Sequence, residues 1–504
     1  MLRRATLVLV ATSMRLAVIV LGVGVLLARA PAVAGPTAEP AGSRFVLMEP
    51  AQGGNGALPF FQEVTDAARL ASCQSWLRNE QARWALDLYQ RARQVSGLPA
   101  SVQPVDFFIA LVPEGSSTRL GFRLRQGSGE RSYPRAAFVE LGDEEWRFST
   151  MLLHESGHVA LLMLAGGRLL PTRAIAAIPH TTAALTDRST SFSEGFAIHL
   201  EALFAHLNLD AKTRSTYRHE ELIFGDAPAM TSEYYRHALD LLSFAQFVAR
   251  YREVRDNSFA FASAFRGPDY LRAQMESARD FATLRDANQL LQSEGFHATF
   301  FFSVLVRGDA KPDAIRERQT RMLTGLAAAL NEGEMTADEP FLLRFVQTYQ
   351  RLYPAEGPQI VDVLLDLSHG VFVDGDAVAL WRAHYLAALR LDVPGLNLER
   401  IEAARARWRR AVNADSRLLL VRLGPQLRCE VAGRTVALVG MYHEAPLSFD
   451  VNSAEEGIMR LVPGISEVEV SSWLSSRQQR AFADATDFKR RSGLSEKTLV
   501  SLSF

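Results

Sequence analysis

Apolar residues recur at helical intervals in most of the chain, and this spacing predicts a mainly helical protein. Residues 144–164 follow the pattern without a proline, so we predict a helix there. Residues 191–204 follow it as well and predict a second helix, whose first turn Ser193 is expected to cap. From about residue 211 to residue 414, Leu, Ala, Arg and Phe keep helical spacing, which predicts a helical domain with Phe259, Phe261 and Phe265 in its core.

Strand-like segments form a smaller part of the chain. Residues 105–112, 120–125 and 136–141 are rich in aromatic and β-branched side chains or alternate in polarity, so a small sheet is predicted ahead of the first helix. Residues 427–431 and 435–439 flank Ala432-Gly433-Arg434 and predict a β-hairpin. The predicted fold class is therefore α+β with helices dominant.

The first predicted helix contains the segment His154-Glu155-Ser156-Gly157-His158. Residues four apart lie on the same face of a helix, so both histidines can bind one metal ion. Glu155 can then act as general base on a metal-bound water. The alternative is a chance pattern of solvated or satisfied polar residues, but two imidazoles and a carboxylate are costly to bury without partners. We therefore predict a metal site here.

A hydrolytic zinc site of this type needs a third protein ligand. A third histidine six residues after His158 is excluded, because residue 164 is Leu. Glu194, in the second predicted helix, is the predicted ligand, because Ala165-Gly166-Gly167 lets the chain turn back. Glu201 lies seven residues later on the same helix face and either orients a ligating imidazole or is a solvated carboxylate.

A rival third ligand is Glu294, because Ser293-Glu294-Gly295-Phe296-His297 repeats the wording of residues 193–196. If Glu194 is the ligand, Glu294 and His297 are expected near the site, as pocket lining or as satisfied core residues. Three residues are candidates for the donor that stabilises the oxyanion, and the sequence does not choose among them: His180, Tyr234 and Tyr235.

These motifs carry a family resemblance. The pair His154-Glu155-x-x-His158 and Glu194-Gly195-Phe196-Ala197-x-x-x-Glu201 resembles the gluzincin zinc metallopeptidases. The resemblance implies a zincin-like catalytic domain in which His154, His158 and Glu194 bind Zn²⁺ and Glu155 activates water. It also implies an edge strand able to pair an extended peptide substrate. The chain lacks the Gly-x-Met-Glu-Asn segment of the aminopeptidases, so aminopeptidase specificity is not implied.

The amino terminus predicts export. A basic region ends at Arg15, an apolar stretch follows, and Ala32-Val33-Ala34 offers a cleavage pattern before Gly35, so residues 1–34 are predicted to be a signal peptide. The predicted location is the periplasm or the exterior, with no stable membrane span after cleavage. The alternative is an uncleaved amino-terminal anchor.

Composition bears on the binding partners and on the role of the cysteines. A net charge of −1 over 504 residues shows no overall preference for nucleic acid or anionic membrane. The two cysteines, Cys73 and Cys429, exclude a disulfide scaffold or a cysteine zinc site, and two buried free thiols are favoured over one long-range bridge.

The carboxy-terminal segment resembles a helix-hairpin-helix module. It carries Asn452-Ser453-Ala454, then Pro463-Gly464-Ile465, with a degenerate second copy over residues 482–502. Ser466 replaces the second hairpin glycine, and residues 448–504 hold seven Lys or Arg against eight Asp or Glu. This balance disfavours DNA and favours a protein partner or a purely structural role.

The predicted organisation is a signal peptide (1–34), a zincin-like catalytic region (35–210), a helical domain (211–414), a β-hairpin linker (415–447) and the helix-hairpin-helix-like module (448–504). The function expected from it is hydrolysis of a peptide or protein substrate by an exported zinc metallopeptidase. The alternative is a non-catalytic binding or scaffold protein that acts through residues 448–504.

Overall fold

The computed structural model describes residues 43–52, 56–113, 115–142, 145–171, 182, 185–208, 250–262, 264, 279–308, 311–333, 335–436 and 445–504. Three sets of predictions lie outside these residues: the signal peptide, the part of the helical domain before residue 250, and the candidate oxyanion donors His180, Tyr234 and Tyr235. Residues 43–504 cluster as one compact unit. The fold is α+β with helices dominant, as predicted.

The described residues contain ten strands in three sheets. They are β1 (Phe45–Pro50), β2 (Phe60–Glu63), β3 (Phe107–Val112), β4 (Ser116–Gln126), β5 (Gly129–Gly142), β6 (Phe261–Ala262), β7 (Asp280–Leu284), β8 (Arg428–Val436), β9 (Ala445–Asp450) and β10 (Leu502–Ser503).

Residues 250–255 are helical. The described part of the chain also contains fifteen complete α-helices. They are α1 (Ala67–Trp76), α2 (Glu80–Ser96), α3 (Glu145–Leu164), α4 (Arg188–Asn208), α5 (Ala287–Leu291), α6 (Glu294–Val306), α7 (Pro312–Asn331), α8 (Phe341–Leu352), α9 (Gly357–Ser368), α10 (Ala377–Leu389), α11 (Leu398–Ala414), α12 (Glu456–Met459), α13 (Glu467–Gln479), α14 (Ala485–Arg491) and α15 (Glu496–Leu499). None of the helices within these residues is long and apolar enough to cross a membrane.

The first five strands close into a barrel in the order β1-β2-β4-β5-β3. Alternate side chains point inwards and pack against one another, among them the rings of Phe61, Phe122 and Phe138. The opposite faces of β3 and β5 join the main core with α2 and α3. The sequence predicted β3, β4 and β5 in outline, but it missed β1 and β2, whose short strands complete the closure.

An edge strand was expected in this sheet, and β4 has the pairing of one over only part of its length. Gly121 breaks β4 with a β-bulge, where its φ of +82° and a site for Cβ only 2.7 Å from the Pro134 carbonyl oxygen exclude larger residues. Beyond the bulge, β4 pairs with β2 through Arg123–Arg125. Before it, Ser116–Leu120 pairs with β5 alone among the residues that the structure places. Within the described part of the chain, Ser116–Leu120 thus has a strand on one side only.

The predicted hairpin near residue 433 has a different turn. Strand β8 continues through Ala432–Arg434 and pairs antiparallel with β9, so the turn at these residues was wrongly predicted. The pairing register shifts between Glu430 and Thr435, so Gly433 is part of an irregular strand. Both strands, with β10, share a core with the carboxy-terminal helices through Cys429, Val431 and Phe449.

Residues 456–499 fold as two helix, hairpin, helix units in succession, α12 with α13 and α14 with α15. Glu469 joins the two hairpins: its carboxylate accepts hydrogen bonds from the backbone N–H groups of Ser466 and Ser495, at 2.8 Å each. The Ser495 contact is the main reason that the pKa of Glu469 falls to about 2. A carboxylate of the chain itself thus satisfies both backbone amide groups.

Buried polar bonds attach this carboxy-terminal segment to the helical body. Arg285 and Glu455 form an ion pair whose closest atoms, Nη2 and Oε1, are 2.9 Å apart, and both side chains are almost fully buried. Asp450 accepts hydrogen bonds from Asn288 and Gln292 at 3.0 and 3.1 Å. The segment that they bind, residues 285–292, leads directly into α6.

Two predicted core phenylalanines and both cysteines are buried. Phe259 and Phe261 are buried, as expected, while Phe265 lies outside the described residues. Cys73 and Cys429 are both buried and free, so the favoured alternative of two thiols is confirmed.

Candidate metal centre

Three predicted ligands lie together where helix α3 meets helix α4. Asp187 caps the start of α4, because its Oδ1 accepts hydrogen bonds from the N–H groups of Ser189 and Thr190 at 3.1 and 3.0 Å. Ser193 is therefore inside the helix, and its predicted capping role is wrong. It instead lies beside the histidines of α3.

Small residues bring the two helices into close contact. A Cβ atom added at Gly157 would lie 2.9 Å from the Cα atom of Ala197 and 3.0 Å from a methyl group of Leu200. On the other side of α4, a Cβ atom at Gly195 would overlap His297 and lie 2.5 Å from the Glu294 carbonyl oxygen. Helix α4 is thus packed tightly between α3 and α6, which fixes the position of Glu194.

The ligand atoms form a nearly equilateral triangle. His154 Nε2 lies 3.2 Å from Glu194 Oε2 and 3.3 Å from His158 Nε2, and His158 Nε2 lies 3.4 Å from the same carboxylate oxygen. Ligands about 2.0–2.1 Å from a tetrahedral zinc ion lie about 3.3–3.4 Å from one another. Among the described residues, this is the one group of His, Cys, Asp and Glu side chains that could hold a metal ion.

No match is found among protein-family models, curated proteins or solved structures. The chemistry of the centre therefore follows from its own side chains. Two imidazole nitrogens and one carboxylate oxygen form a donor set that suits Zn²⁺ and leaves a fourth tetrahedral position for water or substrate.

Each imidazole has a hydrogen-bonding partner at Nδ1, the ring nitrogen outside the triangle. His154 Nδ1 lies 2.7 Å from Glu201 Oε1, and His158 Nδ1 lies 2.9 Å from Ser193 Oγ. Such bonds fix the ring so that Nε2 faces the metal position. Of the two alternatives for Glu201, the structure supports the orienting one, because the residue is buried and not solvated.

The imidazoles and carboxylates of the cluster are electrostatically coupled. Burial by itself would lower the pKa of His154, but hydrogen bonds to Glu194 and Glu201 outweigh it and raise that pKa well above its usual value. Burial would also raise the pKa of Glu194, yet the charges and hydrogen bonds of the two histidines lower it well below its usual value. Each group thus favours the charged form of its partner.

Glu155 follows His154 directly in α3, and its side chain is held by the barrel. The Thr118 hydroxyl of β4 lies 3.0 Å from Glu155 Oε2 and 2.9 Å from the Glu155 carbonyl oxygen. Glu155 is itself buried. A carboxylate fixed beside a metal position has the placement that a general base needs.

The rival ligand lies elsewhere. Glu294 begins α6 and is buried, but it is not part of the ligand triangle. His297 packs its ring against Phe192, and burial lowers the pKa of this imidazole to about 3, so it is a neutral core residue. The repeated Ser-Glu-Gly-Phe wording thus marks two helices that pack together, of which α4 alone supplies a ligand.

Sequence reasoning missed two parts of the centre, Thr118 and Arg250. The Arg250 guanidinium forms an ion pair with Glu201, whose other carboxylate oxygen contacts His154. Neither residue belongs to a motif, and each is far from the histidines in the sequence, so the chain carries no local signal for them.

Proposed function

We propose that this protein is an exported zinc-dependent metallopeptidase of gluzincin type. One observation carries the proposal: the triangle of His154 Nε2, His158 Nε2 and Glu194 Oε2 has edges of 3.2–3.4 Å. Three independent side chains from two helices meet the spacing of tetrahedral zinc ligands. A zincin-like catalytic fold and cleavage of a signal peptide after Ala34 are parts of the same proposal.

The residues of the cluster fit zinc chemically as well as in distance. Zinc held in such a site acts as a Lewis acid on the scissile carbonyl and makes water more acidic. His154, His158 and Glu194 would hold the ion, while Glu201 and Ser193 keep the two imidazoles in the orientation that binding requires.

Glu155 is the proposed general base. It would take a proton from the attacking water and deliver it to the leaving amine, which requires a carboxylate fixed near both groups. The Thr118 hydroxyl holds that carboxylate at 3.0 Å. Because the hydrogen bond comes from β4, the barrel positions the base as well as any substrate that contacts the same strand.

The open edge of β4 is the proposed substrate-binding strand. Ser116–Leu120 has one side paired with β5, and the opposite side carries no strand among the residues described. An extended peptide could pair there through its backbone. Thr118, in the middle of this segment, contacts Glu155, so such a peptide would lie next to the base.

Metal content and peptide cleavage test the proposal together. We expect the purified mature protein to hold near-stoichiometric zinc and to hydrolyse members of a diverse peptide library. Glu155→Gln should keep the zinc but lower the hydrolysis rate by about 10²–10⁴ or more, because it removes the proton acceptor at constant size.

His158→Ala is the matched metal control, since it should remove both zinc and activity. A protein that binds no zinc would overturn the proposal. A zinc-loaded protein whose Glu155→Gln variant cleaves peptides as fast as the wild type would overturn the assigned mechanism.

A further inference from the structure

Arg250 forms an ion pair with one oxygen of Glu201, while the other oxygen of that carboxylate lies 2.7 Å from His154 Nδ1. The Glu201 side chain is only 2% exposed, so its carboxylate relies on partners from the protein. A continuous chain of polar contacts therefore runs from Arg250 through Glu201 to the imidazole of His154.

Glu201 depends on this arginine for its orientation. Arg250 pairs with Oε2 of the carboxylate while His154 Nδ1 contacts Oε1, so each oxygen has its own partner. A buried carboxylate with a partner on each oxygen is fixed in rotation as well as in charge. Without Arg250, the carboxylate would keep one partner and could turn away from the ring.

Residues 250–255 are helical and belong to neither helix of the ligand triangle. A third segment of the chain thus reaches the back of the site. Glu294 of α6 also raises the pKa of Arg250 through its charge, so the guanidinium serves buried carboxylates of both α4 and α6. This gives the second Ser-Glu-Gly-Phe segment an electrostatic link to the site although it supplies no ligand.

We propose that Arg250 is a positioning residue of the metal centre: it fixes Glu201, which in turn fixes His154 for zinc. The inference rests on the proposed zinc site but concerns a residue outside its ligands. Partners behind a metal ligand typically change metal affinity by about 10–100-fold when they are removed. Since Arg250 acts through Glu201, we expect a loss of about tenfold.

The experiment measures zinc affinity of the full mature chain by competition with a chromophoric chelator, so no substrate is needed. Arg250→Gln should weaken zinc binding about tenfold, and Arg250→Lys should recover part of the loss because it restores the charge. Arg255→Gln is the matched control: Arg255 lies in the same helical segment but pairs with Asp256 at the surface, so its loss should leave affinity unchanged. The Co²⁺ absorption spectrum should broaden in Arg250→Gln and stay sharp in Arg255→Gln.

Arg250→Gln leaves a buried carboxylate without its cation and can reduce folding. The double variant Glu201→Gln with Arg250→Gln removes both charges, and we expect it to fold and to bind zinc more weakly than the wild type. Wild-type zinc affinity in either variant would overturn the inference while leaving the proposed function intact. A wild-type protein that binds no zinc would overturn both.

Discussion

Thr118 precedes Glu155 by 37 residues, yet its hydroxyl contacts both the side chain and the backbone of that residue. A hydrogen bond to a charged group is worth about 1.5–3 kcal/mol, and here it also decides which way the carboxylate points. The catalytic role proposed for Glu155 thus depends on a residue of the barrel.

Replacing this hydroxyl tests that dependence. Thr118→Val keeps the shape of the side chain but removes the donor, so we expect kcat for a cleaved peptide to fall about tenfold or more with zinc content unchanged. Thr118→Ser keeps the hydroxyl and should retain most of the activity. Equal kcat values for the Val and Ser variants would show that Thr118 has no part in positioning the base.

The sequence predicts residues of the centre only where the chemistry is local. His154 and His158 are four residues apart on one helix, so their spacing alone places them on one face, and Glu155 is the residue next to His154. Glu194 was predictable because Glu194-Gly195-Phe196-Ala197, in the next helix, resembles the segment that carries the third ligand in gluzincins. Thr118 and Arg250 reach the site only through the fold, and no spacing rule connects them to the histidines.

Helices α3, α4 and α6 pack through glycines, and this close packing determines the size of the metal triangle. Gly157 allows α4 to approach α3, while Gly195 allows α6 to approach α4 from the other side. Neither glycine has a positive φ, so their value here is the absence of a side chain.

Adding one methyl group at Gly157 should therefore act on the whole helix pair. Gly157→Ala places a Cβ atom 2.9 Å from Ala197 Cα, so the helices must separate; we expect a loss of about 1–3 kcal/mol in unfolding free energy and weaker zinc binding. Urea denaturation and chelator competition measure the two effects. Gly129→Ala is the control, because its nearest neighbouring atom would be 3.6 Å away and it should change neither quantity. Unchanged zinc affinity in Gly157→Ala would argue against this packing.

Long helices were predicted correctly from the sequence. Short strands, whose formation depends on pairing with distant strands, were not. The helices around the histidines and around Glu194 are 20 and 21 residues long, and both are present. Strands β1 and β2 are short and gain their stability from partners distant in sequence, which leaves little local signal. Gly433 indicated a turn, but a glycine inside a bulged strand gives the same signal.

For the molecule as a whole, the carboxy-terminal segment is attached by buried charges. Arg285 and Glu455 are 1% and 4% exposed, so removing one partner leaves the other charge buried. The hairpins of this segment are joined by Glu469, which supports a structural role over phosphate binding. Residues 448–504 thus belong to the same compact unit as the helical body.

Glu455→Gln should be strongly destabilising. We expect a loss of about 3–5 kcal/mol in unfolding free energy by urea denaturation, because Arg285 would remain charged in the interior. The adjacent Glu456 bonds Arg460 nearer the surface, so Glu456→Gln should cost about 1 kcal/mol or less. Similar losses in the two variants would mean that the Arg285–Glu455 pair is not important for attachment.

The Arg285–Glu455 bond also bears on the order of events when the chain folds. Its partners are 170 residues apart in the sequence, and contacts that close such long loops form late because they restrict so much chain at once. Residues 285–292 lead into α6, which packs against the helix of Glu194. The pair of helices that carries Glu194 and Glu294 is thus linked, through residues 285–292, to a contact that closes a long loop, and we expect zinc to bind only after this contact has formed.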